Sequence, residues 1–124
     1  MKDLIKRKFR DNSYMISGEI YTDVTFTKNS SLSPNLAQQI IYRLGNFIQG
    51  YFRWDGSQSS QSVTLGTISK APITPIVVAV RGGDSGVIGS CTIGTDGTIT
   101  IHHNSTSSGN IAHHMSFIYL TTDI

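Results

Sequence analysis

Apolar and polar residues alternate with a period of two over much of the chain. From Tyr14 to Lys28 one side carries Ile16, Ile20, Val24 and Phe26, and the other carries Ser17, Glu19, Tyr21, Asp23, Thr25 and Thr27. This is the pattern of a half-buried strand, with Gly18 as a place to kink. The opening Met1 to Asn12 is different. Leu4, Ile5 and Phe9 stand among basic residues, a spacing that suits either a helical turn or two with a narrow apolar stripe or a solvated connector. The sequence therefore divides into a basic connector over 1–13 and a single domain over 14–124.

The segment after Pro34 satisfies two periods at once. Leu36, Ile40, Ile41 and Leu44 have helical spacing, with Ser33 as a cap, Pro34 at the first helical position and Gly45 as a stop. The rival is a hairpin in which Gln39–Leu44 and Phe47–Trp54 flank a Gly45-Asn46 turn. That register sets Leu44 opposite Phe47, Tyr42 opposite Gln49 and Ile40 opposite Tyr51, matching aliphatic and aromatic partners. The hairpin is preferred because β-branched and aromatic residues dominate Ile40 to Trp54.

Beyond Asp55-Gly56, the Ser/Gln run Ser57 to Ser62 has nothing to bury and reads as an exposed loop. Strands are predicted at Val63–Ser69, Thr74–Arg81, Val87–Gly94, Thr98–His103 and His113–Thr121, separated by turn-forming residues. About eight short strands at this spacing predict an all-β fold, an antiparallel β-sandwich of jelly-roll type. Pro75 to Val80 is apolar on both faces, which implies cover on both sides and a second subunit over the outer one.

Composition narrows the class. Charged residues are 15% of 124 and Ser and Thr are abundant, unlike a coiled coil or helical bundle. Five of the ten basic residues (Lys2, Lys6, Arg7, Lys8, Arg10) lie in the first ten positions, and the remainder has five basic against seven acidic residues. The body thus has no charge bias toward nucleic acid. The single Cys91 excludes an internal disulfide and a Cys-rich zinc site. No segment has the length and apolarity for membrane insertion, and the N-terminus lacks a signal-peptide core. Export by lysis is the expected route if the protein acts outside the cell that makes it.

One ordered series of features runs through most of the chain. It consists of Tyr42, Arg43, Gly45 and Asn46, then Thr64-Leu65-Gly66-Thr67-Ile68, the Pro72–Pro75 segment and Gly86-Val87-Ile88-Gly89. Ile93–Ile99 around Asp96-Gly97 and the terminal Ser116-Phe117-Ile118-Tyr119-Leu120-Thr121 complete it. From Ile20 to Thr121 the series resembles the C-terminal head domains of phage tail fibres and baseplate receptor-binding proteins. The resemblance implies a homotrimeric β-sandwich that binds host cell-surface saccharide without catalysis or cofactor. It places the protein in the virion tail or baseplate, made in the host cytoplasm and extracellular after lysis, with the N-terminal segment docking on other tail or baseplate proteins. No long shaft precedes the head here, so the chain is either a fragment or a small accessory. A structural connector that binds no sugar is the alternative function.

The chemistry-bearing residues fit recognition better than catalysis. Asp55, Asp84 and Asp96 sit beside glycines, where carboxylates cap turn amides, and no spacing enforces the roughly 5–10 Å carboxylate pair of a glycosidase. Cys91 reads as a small core residue. If Thr98–His103 pairs with His113–Thr121, then Ile101 faces Met115, Ile99 faces Phe117, His103 faces His113 on the core side and His102 faces His114 outside. Such imidazoles bind a metal, contact a ligand or satisfy each other. The His-His doublets lack the His-x-His spacing that puts two rings of one strand on one face, so no metal is assigned. For saccharide, Tyr51, Arg53, Trp54 and Asp55 supply a stacking ring and planar polar groups within five positions, with Trp54 either exposed for stacking or closing the core. His102, His114 and Asn104 complete the candidate site at the same end.

Overall fold

The computed structural model describes residues 20–32, 36–83 and 86–122. Among these, the chain forms β1 (Ile20–Tyr21), β2 (Phe26–Lys28), β3 (Leu36–Leu44), β4 (Phe47–Ser57), β5 (Ser62–Ile68), β6 (Ile76–Gly82), β7 (Val87–Ile93), β8 (Thr98–His103) and β9 (Asn110–Leu120). No helix occurs among the described residues. The connector over 1–13 and the beginning of the Tyr14–Lys28 segment lie outside them.

The fold is all-β and antiparallel, as the alternation predicts, but its strands form one curled sheet rather than two. Their order is β1, β3, β4, β9, β6, β7, β8, β5, β2. The curl is measured by Phe26 of β2 and Phe52 of β4, whose ring centroids are 4.8 Å apart. Six inter-strand steps separate those strands, about 29 Å in a flat sheet. Rolling the sheet supplies the two-sided burial expected of a sandwich.

The hairpin of β3 and β4 has the predicted register, with Leu44 opposite Phe47, Tyr42 opposite Gln49 and Ile40 opposite Tyr51. Its turn is tied to the end of β9, since Asn46 Nδ2 donates to Thr121 O at 3.1 Å. The expected pairing of Thr98–His103 with His113–Thr121 is not made. β8 lies between β7 and β5, whereas β9 lies between β4 and β6. β9 matches β4 over eleven residues, from Phe47 opposite Leu120 to Ser57 opposite Asn110. That ladder satisfies far more backbone than the six residues of β8 could offer.

The single strand predicted over Tyr14–Lys28 is divided. β1 pairs with β3 at one edge of the sheet and β2 with β5 at the other, so residues 22–25 cross between edges. The crossing is fixed on both flanks. Arg43 on β3 holds the Asp23 carboxylate through Nε and Nη2, each at 3.0 Å. Thr25 N donates to Ser69 Oγ, and Ser69 N donates to Thr25 O, both at 2.9 Å. Between them Val24 is buried in the core.

Inward-facing residues alternate along each strand: Ile48, Phe52 and Trp54 on β4, Cys91 and Ile93 on β7, Ile99 and Ile101 on β8, and Met115, Phe117 and Tyr119 on β9. Burial of each large apolar side chain contributes roughly 1.5–3 kcal/mol. Burial also pushes the Cys91 thiol up to about 12, and the thiolate is the reactive form. On β6 the inner Val80 is buried, but the outer Val77 is 66% exposed, so the described residues do not provide the second cover inferred for Pro75–Val80.

Two outcomes follow. Gly45 has φ +59° and nothing within 4 Å of an added Cβ, so substitution tests backbone conformation alone. Gly45→Val should lower unfolding free energy by about 1–2 kcal/mol in urea titration, and Gly45→Asn by less. Cys91 should resist a thiol reagent at about pH 8 in the native protein and react fully in denaturant, because its thiolate is scarce until the core opens.

Candidate functional site

The alternation along β4 decides which candidate residues meet. Ile48, Gly50, Phe52, Trp54 and Gly56 are buried, while Tyr51, Arg53 and Asp55 occupy the other parity and face outward. The β9 ladder brings Ser116 beside Tyr51 and His114 beside Arg53, and Arg81 of β6 flanks His114 on its other side. Tyr51, Arg53, Asp55 and His114 therefore share one outer patch.

Within it, Tyr51 Oη is 2.7 Å from His114 Nδ1, and the two rings lie nearly parallel, 26° apart. Arg53 Nε donates to Asp55 Oδ1 at 2.9 Å and Nη2 donates to Oδ2 at 3.2 Å. This fork presents a guanidinium and a carboxylate side by side, both about two-fifths exposed. The carboxylate raises the Arg53 pKa, first through the hydrogen bond and then through charge. Asp55 is thus an ion-pair partner within a strand, not the turn cap expected from Asp55-Gly56, because β4 continues to Ser57. Asp96 does cap its turn: Thr98 N donates to Asp96 Oδ1 at 2.9 Å, and that bond holds the carboxylate below its ordinary pKa. Asp84 lies outside the described residues.

Trp54 does not offer a stacking face. It is 2% exposed, its indole covers Gly56, where an added Cβ would come within 2.1 Å of the ring, and its ring centroid is 4.4 Å from that of His113. Parity with Ile48 and Phe52 was the available signal. His102 does not face His114. It points outward from β8, with Nδ1 2.9 Å from Ser62 Oγ, and is paired in register with Ser62 and Ser90. Asn104 is exposed just beyond β8, with its N–H donated to Ile88 O.

His103 and His113 do meet, though not as strand neighbours. They approach across the interior of the curl, with Nε2 atoms 2.8 Å apart. Burial lowers the His113 pKa, and the charge of His103 lowers it further. Above them two polar loops are joined: Ser107 N donates to Gln58 O at 3.1 Å and His103 N donates to Gln61 O at 2.8 Å.

Sequence reasoning did not find a shallow concavity of about 450 Å³ at the opposite end, lined by Ser69, Pro72, Ile73, Thr95 and Asp96 among others. Its sequence signal was the recurrence of turn residues at 69–75 and 95–97. Among the described residues, no three His, Cys, Asp or Glu side chains converge as metal ligands, and no helix is long and apolar enough to cross a membrane. Comparison with known proteins finds no family that the chain matches and no curated relative.

Trp54→Ala should lower unfolding free energy by about 3–5 kcal/mol in urea titration, as expected when a buried indole is replaced by a cavity. A near-neutral result would mean that Trp54 is peripheral to the core.

Proposed function

We propose that the protein is a noncatalytic adhesion module that binds host cell-surface saccharide through the outer face of β4 and β9. The observation that carries this reading is the exposed Arg53–Asp55 fork beside Tyr51 and His114. Adjacent sugar hydroxyls each donate and accept, and a guanidinium and carboxylate held by two hydrogen bonds offer both complements at fixed spacing. The Tyr51 ring adds an apolar surface for sugar C–H groups. The similarity of the Ile20–Thr121 series to tail-fibre and baseplate heads supports a place in the virion tail or baseplate, with the basic connector docking on neighbouring components.

We further propose self-association as a homotrimer. Phe47 and Leu120, each about half exposed, are cross-strand partners on the outer face, and Ile73, Ile118 and Val77 are more than half exposed. Large apolar groups gathered on one face mark an interaction surface. The same face favours the second reading, a structural component of the virion that docks there on another protein and binds no sugar.

A glycan array tests the first reading. Wild type should bind a cell-wall or capsular saccharide, and Arg53→Ala and Asp55→Ala should each weaken binding at least about tenfold with little change in melting temperature. A silent array, or binding untouched by both changes, would remove the saccharide assignment. Light scattering should give three times 13.5 kDa for wild type and a lower mass for Ile118→Glu. A monomeric wild type at micromolar concentration would rule out the trimer.

A further inference from the structure

The buried histidines pose a proton-counting problem. His103 Nδ1 is 2.7 Å from Ser60 O, and His113 Nδ1 is 3.1 Å from Trp54 O and 2.9 Å from Ile111 O. Carbonyl oxygens only accept, so each Nδ1 must carry hydrogen. A neutral imidazole has one N–H, which leaves both Nε2 atoms as bare lone pairs, yet they face each other at 2.8 Å. Moving either hydrogen to Nε2 only transfers the conflict to a carbonyl.

One additional proton resolves every contact. On the line between the Nε2 atoms it makes an N–H···N bond of ordinary length, and each ring then donates from Nδ1. A metal ion satisfies the geometry less well. Two nitrogens at tetrahedral zinc distances stand about 3.3 Å apart, and no third His, Cys, Asp or Glu ligand converges among the described residues.

We propose that His103 and His113 share a single proton at neutral pH and form an acid-sensitive latch closing the loop end of the sheet. The charge is placed among three carbonyls and against the Trp54 ring face, which favours a cation. Asp55, on β4, adds a favourable charge. Of the other charged or titratable groups described on the strands around the pair, Tyr51 and Arg53 of β4, Arg81 of β6, His102 of β8 and His114 of β9 lie on the outer parity. Cys91 of β7 and Tyr119 of β9 face inward, and burial raises the pKa of both, which keeps them uncharged. The loops over 58–61 and 104–109 contain no charged side chain.

A second proton would leave two cationic rings with no acceptor between them. His113, disfavoured as a cation by burial and by the charge of His103, therefore takes it up at lower pH than free histidine. In the unfolded chain both rings protonate as pH falls through about 6.5. Below that point the unfolded state binds more protons, so stability is lost as pH falls. The latch opens by parting β8 from β9 across the interior, which frees Ser60 and Gln61 from His103 and the loops from each other.

The test uses wild-type protein labelled with 15N-histidine. At about pH 7, NMR should show Nδ1–H on both rings and one proton correlated with both Nε2 nuclei. Two bare Nε2 atoms would overturn the proposal, as would histidine shifts or a melting temperature that respond to one equivalent of zinc. Melting temperature should fall by about 5 °C or more between about pH 7 and pH 5 in wild type and in His102→Gln/His114→Gln. In wild type the shared proton should also make melting temperature fall as pH rises above about 7, because the folded pair keeps a proton that the unfolded rings release. In His103→Gln, whose amide donates to His113 Nε2, the folded site holds no such proton, so this alkaline fall should vanish while the acid fall remains. An alkaline fall of equal size in that variant would also overturn the latch, and if it does not fold the NMR measurement decides.

Discussion

Residues 22–25 have to cross from one edge of the sheet to the other, and this constraint shapes the whole molecule. From Tyr21 to Phe26 an extended chain reaches at most about 18 Å, far less than the width of a flat sheet of this many strands. The sheet is obliged to roll until its edges come within reach. Asp23 with Arg43 and Thr25 with Ser69 secure the two ends of the crossing, and Val24 fills the space beneath it. Once rolled, the sheet brings Phe26 onto Phe52 and His103 onto His113, contacts that no pair of adjacent strands would make.

The alternating chain places different chemistry on either side of one strand. On β4, Trp54 is buried between the outward Arg53 and Asp55, and on β9 the buried His113 precedes the outward His114. The outer patch therefore rests on the same backbone that holds the buried imidazoles. Tyr51 and His114 are bonded to each other, so the outer patch is ordered by contacts within the sheet before any partner arrives.

Local pattern was readable where partners are close in sequence. The β3–β4 register follows from the turn at Gly45-Asn46 and the matching of Ile40 with Tyr51. The buried Cys91 and the Asp96 turn were likewise evident from neighbouring residues. Non-local pairing was not: Thr98–His103 matches the inward face of His113–Thr121, but alternation says which residues share a face and not which strand lies alongside. His103 and His113 were correctly placed on the core side, yet their meeting depends on the roll of the sheet. Trp54 was legible by parity and obscured by its polar neighbours. The division of Tyr14–Lys28 leaves the alternation intact, which is why the pattern did not reveal it.

The position of β9 has a kinetic consequence. This strand, late in the sequence, is inserted between β4 and β6 in the middle of the sheet, and Thr121 at its end contacts Asn46 across 75 residues of chain. The hairpin of β3 and β4 can form early from local contacts, but it stays detached from β6, β7, β8 and β5 until β9 arrives. Pairing of such distant segments places folding in the millisecond-to-second range of β-rich domains. Until then the inward side of β4, with Ile48, Phe52 and Trp54, remains in water, and it is in this interval that the chain is most open to capture by another copy.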